Sequence, residues 1–103
     1  MIVEYIRYTI PEAQAAGFEK SYAEAGKSLA ASDHCLGYEL SRCLDDPTCY
    51  ILRIEWDSVE GHMQGFRGSA EFHSFFAAIK PYVNRIAEMR HYRQTNVTGA
   101  AKR

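Results

Sequence analysis

Ile54-Glu55-Trp56-Asp57-Ser58-Val59-Glu60-Gly61-His62-Met63-Gln64-Gly65-Phe66 is the stretch whose reading decides the fold. It opens as a strand and turns at Trp56-Asp57-Ser58. Its next apolar-side positions, Val59, His62, Met63 and Phe66, fall at i, i+3, i+4 and i+7, the spacing of one helix face. Asp57 or Ser58 suits the cap, because a short side-chain oxygen accepts a backbone N–H that has no partner in the first turn. Gly68-Ser69 breaks the helix, and Ser69 or Ala70 restarts one. Phe72, Phe75, Phe76, Ile79 and Val83 then repeat at helical period. This reading puts His62 on the buried side of an aromatic-rich helical segment.

Upstream, Tyr38–Asp45 and Cys49–Asp57 read as strands joined by Asp46-Pro47-Thr48, all turn-favouring residues. Tyr50, Leu52, Ile54 and Trp56 alternate with Cys49, Ile51, Arg53 and Glu55, so the large side chains share one face. Ile2–Ile10 is a further strand, with Ile2, Ile6, Tyr8 and Ile10 on one side. Pro11 ends it and opens a helix over Glu12 to Ala31, whose stripe is Phe18, Tyr22, Ala25 and Leu29. Downstream, Glu88–Thr95 has strand spacing, and residues 96–103 are expected to form a mobile tail after one domain over 1–95.

The order β-α-β-β-α-β is the split βαβ plan of a ferredoxin-like α+β fold, a four-stranded antiparallel sheet with helices on one face. The open face would carry Arg7, Arg53 and Glu55, with Arg42 or Cys43 beside Ile51. That mixture is too apolar to leave to water and too charged for a core, so a second copy is expected to cover it, as a homodimer.

A chain of 103 residues supports one core. A hydrophobic share of 47% with 24% charged residues describes an ordered globular protein. Net charge −1 gives no electrostatic reason to bind nucleic acid or an anionic membrane. No apolar run approaches the roughly 20 residues of a membrane span, and no signal-peptide pattern opens the chain, so a cytoplasmic location is expected. Cys35, Cys43 and Cys49 have no paired or metal-ligand spacing and read as free thiols.

At Trp56-Asp57-Ser58, His62, Phe66, Ser69, Phe72 and Pro81-Tyr82 the chain resembles the antibiotic biosynthesis monooxygenase family of dimeric α+β barrel proteins, over about Met1 to Thr95. The same fold also hosts haem-degrading enzymes. The places those relatives use for an asparagine, a tryptophan and a haem-ligating histidine fall here near Ile6, Gly65 or Phe66, and Phe76, and none matches; His73 lies about one turn from the third. Haem degradation is therefore the less favoured reading.

The resemblance implies oxidation of a small phenol, hydroquinone or anthrone by O₂ with no bound cofactor, because the deprotonated substrate can itself reduce O₂. Such a site needs a base, donors for an oxyanion and a dry slot for a flat ring. His62, with an ordinary pKa of about 6.5, is the candidate base. Tyr38, Tyr50, Tyr82 or Tyr92 could donate to the oxyanion, and Trp56, Phe66, Phe72 and Phe76 could line the slot. The same residues have plain structural uses, with His62 bonded to a carbonyl and Trp56 filling the strand–helix junction. The alternative is a non-catalytic dimer that binds a small apolar molecule. His34 and His91 lack a second ligand at metal spacing, so no metal site is expected. Arg42, Arg53, Glu55 and His91 read as inter-subunit partners, and no phosphate loop or Ser/His/Asp pattern is present.

Overall fold

The computed structural model describes residues 1–102. Strand β1 (Ile2–Thr9) leads through a 3₁₀ turn (Glu12–Gln14) into helix α1 (Ala15–Ala31); β2 (Cys35–Arg42) and β3 (Cys49–Trp56) form a hairpin. A π-helical segment (Gly61–Phe66), helix α2 (Ala70–Ile79), a 3₁₀ stretch (Lys80–Arg85) and β4 (Ile86–Arg93) complete the order. The sheet runs β2-β3-β1-β4 with every pair antiparallel. This is the expected ferredoxin-like plan, with the helices on one face.

Alternation fixes which side chains face the helices. In the β1–β3 ladder Glu4 stands opposite Ile54, Ile6 opposite Leu52 and Tyr8 opposite Tyr50, and all six are buried. Phe18, Tyr22, Ala25 and Leu29 of α1 meet this face, as their helical spacing requires. Phe18 holds α1 on the sheet through ring contacts with Tyr8 and Tyr50, both at 4.9 Å between centroids, and meets Tyr82 of the 3₁₀ stretch edge-on at 5.1 Å. Each such fully buried large side chain contributes about 1.5–3 kcal/mol through removal from water. No helix among the described residues is long and apolar enough to cross a membrane.

Several boundaries differ from the sequence reading. Strand β2 begins at Cys35 and stops at Arg42, not Tyr38–Asp45, because a bulge between Cys35 and Gly37 lets an apparently loop-like run join the ladder. Strand β4 starts at Ile86, directly after the 3₁₀ stretch, and ends at Arg93 rather than Thr95.

The larger correction concerns the helix after Trp56. Ser58 caps it, its Oγ accepting from the Gly61 N–H at 2.8 Å. The chain then widens, and Arg67 N–H reaches back five residues to the His62 carbonyl at 3.1 Å. The wider winding keeps His62 and Phe66 buried but turns Val59 and Met63 outward, at 41% and 44% exposure. Gly65 has a steric reason to be glycine: a Cβ there would lie 2.3 Å from the His34 ring, which sits against this backbone and bonds Asp57 at 2.9 Å. The loop after α1 is thereby pinned to the π-helical segment. Ser69 caps α2, accepting from the Phe72 N–H at 3.3 Å.

On the open face Arg53 pairs with Glu55 of the same strand at 2.7 Å and donates to the Tyr5 hydroxyl at 3.3 Å. Arg42 donates to the Pro47 carbonyl at 2.8 Å. These groups, read from sequence as inter-subunit partners, are thus satisfied within one chain.

Candidate functional site

Between the β1/β4 side of the sheet and α2 lies a cavity of about 200 Å³. Ile6, Ile54, Phe66, Phe72, Phe76 and Ile79 make most of its wall, and Glu4, Trp56, His62 and Arg67 stand at one end with Tyr8 further along β1. Glu4 and His62 are only 1% and 3% exposed. Glu4 arrives there because β1 alternates Ile2, Glu4, Ile6 and Tyr8 inward. His62 arrives because the π-helical winding turns it under Trp56. The two rings stack at 4.4 Å with 14° between their planes.

Antiparallel pairing brings in a third group. Glu4 is registered opposite His91 in the β1–β4 ladder, so His91 points to the same face. His62 Nδ1 and His91 Nε2 lie 2.7 Å apart and share one proton. His62 Nε2 is 3.5 Å from Glu4 Oε1, and His91 Nε2 is 3.8 Å from Glu4 Oε2. The Trp56 indole N–H donates to Glu4 Oε1 at 3.1 Å, which fixes the carboxylate's orientation. The chain of groups runs from a buried carboxylate through a buried imidazole to His91, whose side chain is part-exposed.

Burial dominates the electrostatics here. It pushes the Glu4 carboxyl upward from its ordinary value, against the Trp56 hydrogen bond and the nearby positive charges of His91 and Arg67. It pulls His62 down to about 4, helped by the same two positive charges, so His62 is neutral at physiological pH. Both its nitrogens face protein groups, which makes it a poor direct base. Burial also pushes the Tyr8 hydroxyl up to about 12. Tyr8 and Tyr22 hydroxyls are hydrogen-bonded to each other, and two O–H groups sharing one bond leave one proton free for a further acceptor.

The family model described as antibiotic biosynthesis monooxygenase matches residues 1–78 of this sequence. The chain belongs to the antibiotic biosynthesis monooxygenase family. It is similar to a structure from Bordetella bronchiseptica carrying the same family name, at 28% identity and TM-score 0.74 over 91% of this chain and 96% of that one. A Deinococcus radiodurans structure of the same family name has TM-score 0.76 at 16% identity, over 99% of this chain and 100% of that one, and shows the shared fold. YczJ of Bacillus subtilis, an uncharacterized protein, is 26% identical over 92 residues, 89% of this chain and 97% of its own length. Family membership supports a monooxygenase-like or small-molecule-binding role.

Within this family frame, His62, Trp56, Phe66, Phe72 and Phe76 all line the cavity. The four tyrosines proposed as donors do not. Tyr50 sends its hydroxyl to Glu19 on α1, and Tyr82 packs on Phe18 with its hydroxyl beside Gly17. Tyr38 lies against α1 at Gly26, and Tyr92 meets Tyr5 on the opposite face of the sheet, their ring centroids 5.4 Å apart. The tyrosine that does line the cavity is Tyr8, and His73 is exposed on α2 away from it. Glu4 and His91 were missed as well. A usable signal existed for Glu4, since an acidic residue at an inward position of an otherwise apolar strand needs explaining. Sequence spacing showed no metal ligand set, yet the fold gathers one ligand atom each from Glu4, His62 and His91 within 4.8 Å of one another.

Proposed function

We propose that this protein is an O₂-dependent monooxygenase of small, single-ring phenols or hydroquinones, in which Glu4 rather than His62 takes the substrate proton and no flavin or metal takes part. The observation that carries the reading is the buried Glu4 carboxylate at the polar end of a largely apolar slot. A carboxylate removed from water holds a proton more readily, which brings it toward the range useful for accepting one from a phenol. Cavity size supports a single ring. An apolar cavity of about 150 Å³ already admits benzene, so about 200 Å³ is closer to the size of one substituted ring than to the three fused rings of an anthrone.

Each group has a role in a balanced reaction. Glu4 accepts the phenolic proton, and Tyr8, further along β1 with its hydroxyl bonded to Tyr22, walls the far end of the ring. The phenolate gives one electron to O₂, and the resulting radical and superoxide join through a new C–O bond. Protonation and loss of water then leave a quinone, so that phenol plus O₂ becomes quinone plus water. That protonation draws on the proton Glu4 took up, and His62 and His91 stand between the carboxylate and solvent, where the proton exchanges between turnovers. A homodimer formed through the open sheet face is part of this reading, supported by exposed Tyr5 and Tyr92 there.

The test is O₂ uptake by chelator-treated protein with phenol, catechol and hydroquinone, beside a three-ring anthrone, each corrected for spontaneous oxidation. Uptake confined to single rings is expected. Saturable binding of single rings with no uptake would make the cavity a binding site only, and equal uptake with the anthrone would refute the size argument.

A further inference from the structure

We infer that Glu4, His62 and His91 form a binding site for one divalent first-row transition ion, of the Zn²⁺ or Fe²⁺ class. The separations carry the inference. At 3.5 Å from His62 Nε2 and 3.8 Å from His91 Nε2, the Glu4 oxygens are beyond a well-formed hydrogen bond. They lie within about 0.5 Å of the spacing of atoms that share an ion, and the three ligand atoms all fall within 4.8 Å of one another, so the two imidazoles need only close in as the ion enters. Two ligands at bonds of about 2.05 Å and a tetrahedral angle stand about 3.3 Å apart.

The donor chemistry agrees. Two imidazoles and one carboxylate are the set that holds catalytic zinc and non-haem iron, leaving further positions open. Here the open side faces the cavity, which Glu4 and His62 both line. Trp56 acts as the outer support such sites require, its N–H holding Glu4 Oε1 at 3.1 Å. Proton balance is simple. With His62 carrying its proton on Nδ1 and His91 on its own Nδ1, both Nε2 lone pairs are free, and the ion enters with loss of the His62–His91 hydrogen bond. Any proton on Glu4 is released to solvent.

This inference goes beyond the proposed activity and does not depend on it. An ion would occupy the carboxylate that the proposed reaction uses as base, so the two are read separately, binding without substrate and turnover without metal.

The experiment is titration of the purified, chelator-treated full chain with Co²⁺ as a visible-absorbing probe. Competition by Zn²⁺, by Fe²⁺ under anaerobic conditions and by Mg²⁺ follows. One Co²⁺ per chain, displaced by Zn²⁺, by Fe²⁺ only in excess, and untouched by Mg²⁺, is expected. His91→Ala, at a part-exposed position on an edge strand, and Glu4→Gln, which keeps volume and the Trp56 acceptor, should each weaken binding by more than the 10–100-fold seen for outer-shell changes. His73→Ala, on the exposed side of α2, should bind as wild type. Wild-type binding no tighter than that of folded His91→Ala and Glu4→Gln, Co²⁺ well below one per chain, or equal loss in His73→Ala would each overturn the inference.

Discussion

Glu4→Gln should make the metal-free protein more stable at neutral pH. The carboxyl is 1% exposed, and its one hydrogen bond is the Trp56 donation at 3.1 Å; both imidazoles stand at 3.5 Å or more. Glutamine keeps the volume and an oxygen for Trp56, so no cavity opens and no donor is orphaned. What it removes is the desolvation of a charge that the Trp56 hydrogen bond, His91 and Arg67 only partly offset, and relieving such a group is typically worth about 1–2 kcal/mol.

For a domain of this size that gain corresponds to a rise in Tm of about 4–16 °C. The sign with pH follows from the direction of the shift. Because burial raises the folded-state pKa of Glu4, its contribution to stability is fully present below the unfolded carboxyl's value and is lost as pH rises through the folded one. The advantage of Glu4→Gln should therefore be near zero at pH 4 and open out toward pH 8. Urea midpoints for both proteins across that range, in chelator, measure it directly. A variant that is less stable than wild type at pH 8, or an advantage that grows as pH falls, would refute the reasoning.

Tyr8→Phe should lose stability at pH 8, since the buried Tyr22 hydroxyl is left unpaired at a cost of about 1–3 kcal/mol, read from urea midpoints. Its deficit should shrink above pH 10. The wild-type Tyr8 hydroxyl, raised to about 12 by burial, gives stability that is full below pH 10 and falls away through pH 12, about 3 kcal/mol that phenylalanine cannot lose. Gly65→Ala drives a Cβ to 2.3 Å from the His34 ring and should cost about 1–3 kcal/mol in thermal unfolding; adding His34→Ala should recover most of it. Removing the proposed base by Glu4→Gln should lower single-ring O₂ uptake by about 10²–10⁴-fold, while His91→Ala should slow it less, because solvent can take over the outer end of the proton route.

What could be read from sequence was whatever depends on local period. Tyr50, Leu52, Ile54 and Trp56 announce their shared face by alternation, and Phe18, Tyr22, Ala25 and Leu29 announce theirs by helical spacing. The π-helical segment escaped because Val59 and Met63 fit a 3.6-residue helix, and only the wider winding separates them from His62 and Phe66. The site escaped for a different reason. His91 joins Glu4 only through the β1–β4 register, and a slip of one residue would place it on the other face of the sheet. The tyrosines show the same limit from the other side. A hydroxyl seeks whichever acceptor the packing supplies, and for Tyr50 that is Glu19 on α1, a partner no local pattern reveals. Glu4 alone was within reach, because Ile2, Ile6 and Tyr8 on either side mark its position as inward.

The measurement that tests the central claim most directly is the mass of the product formed from a single-ring hydroquinone under ¹⁸O₂ by the chelator-treated protein. The account predicts a quinone that carries one heavy oxygen, formed by wild type well above the spontaneous rate and not by a folded Glu4→Gln. A quinone free of label, or the same labelled yield from Glu4→Gln, would contradict it.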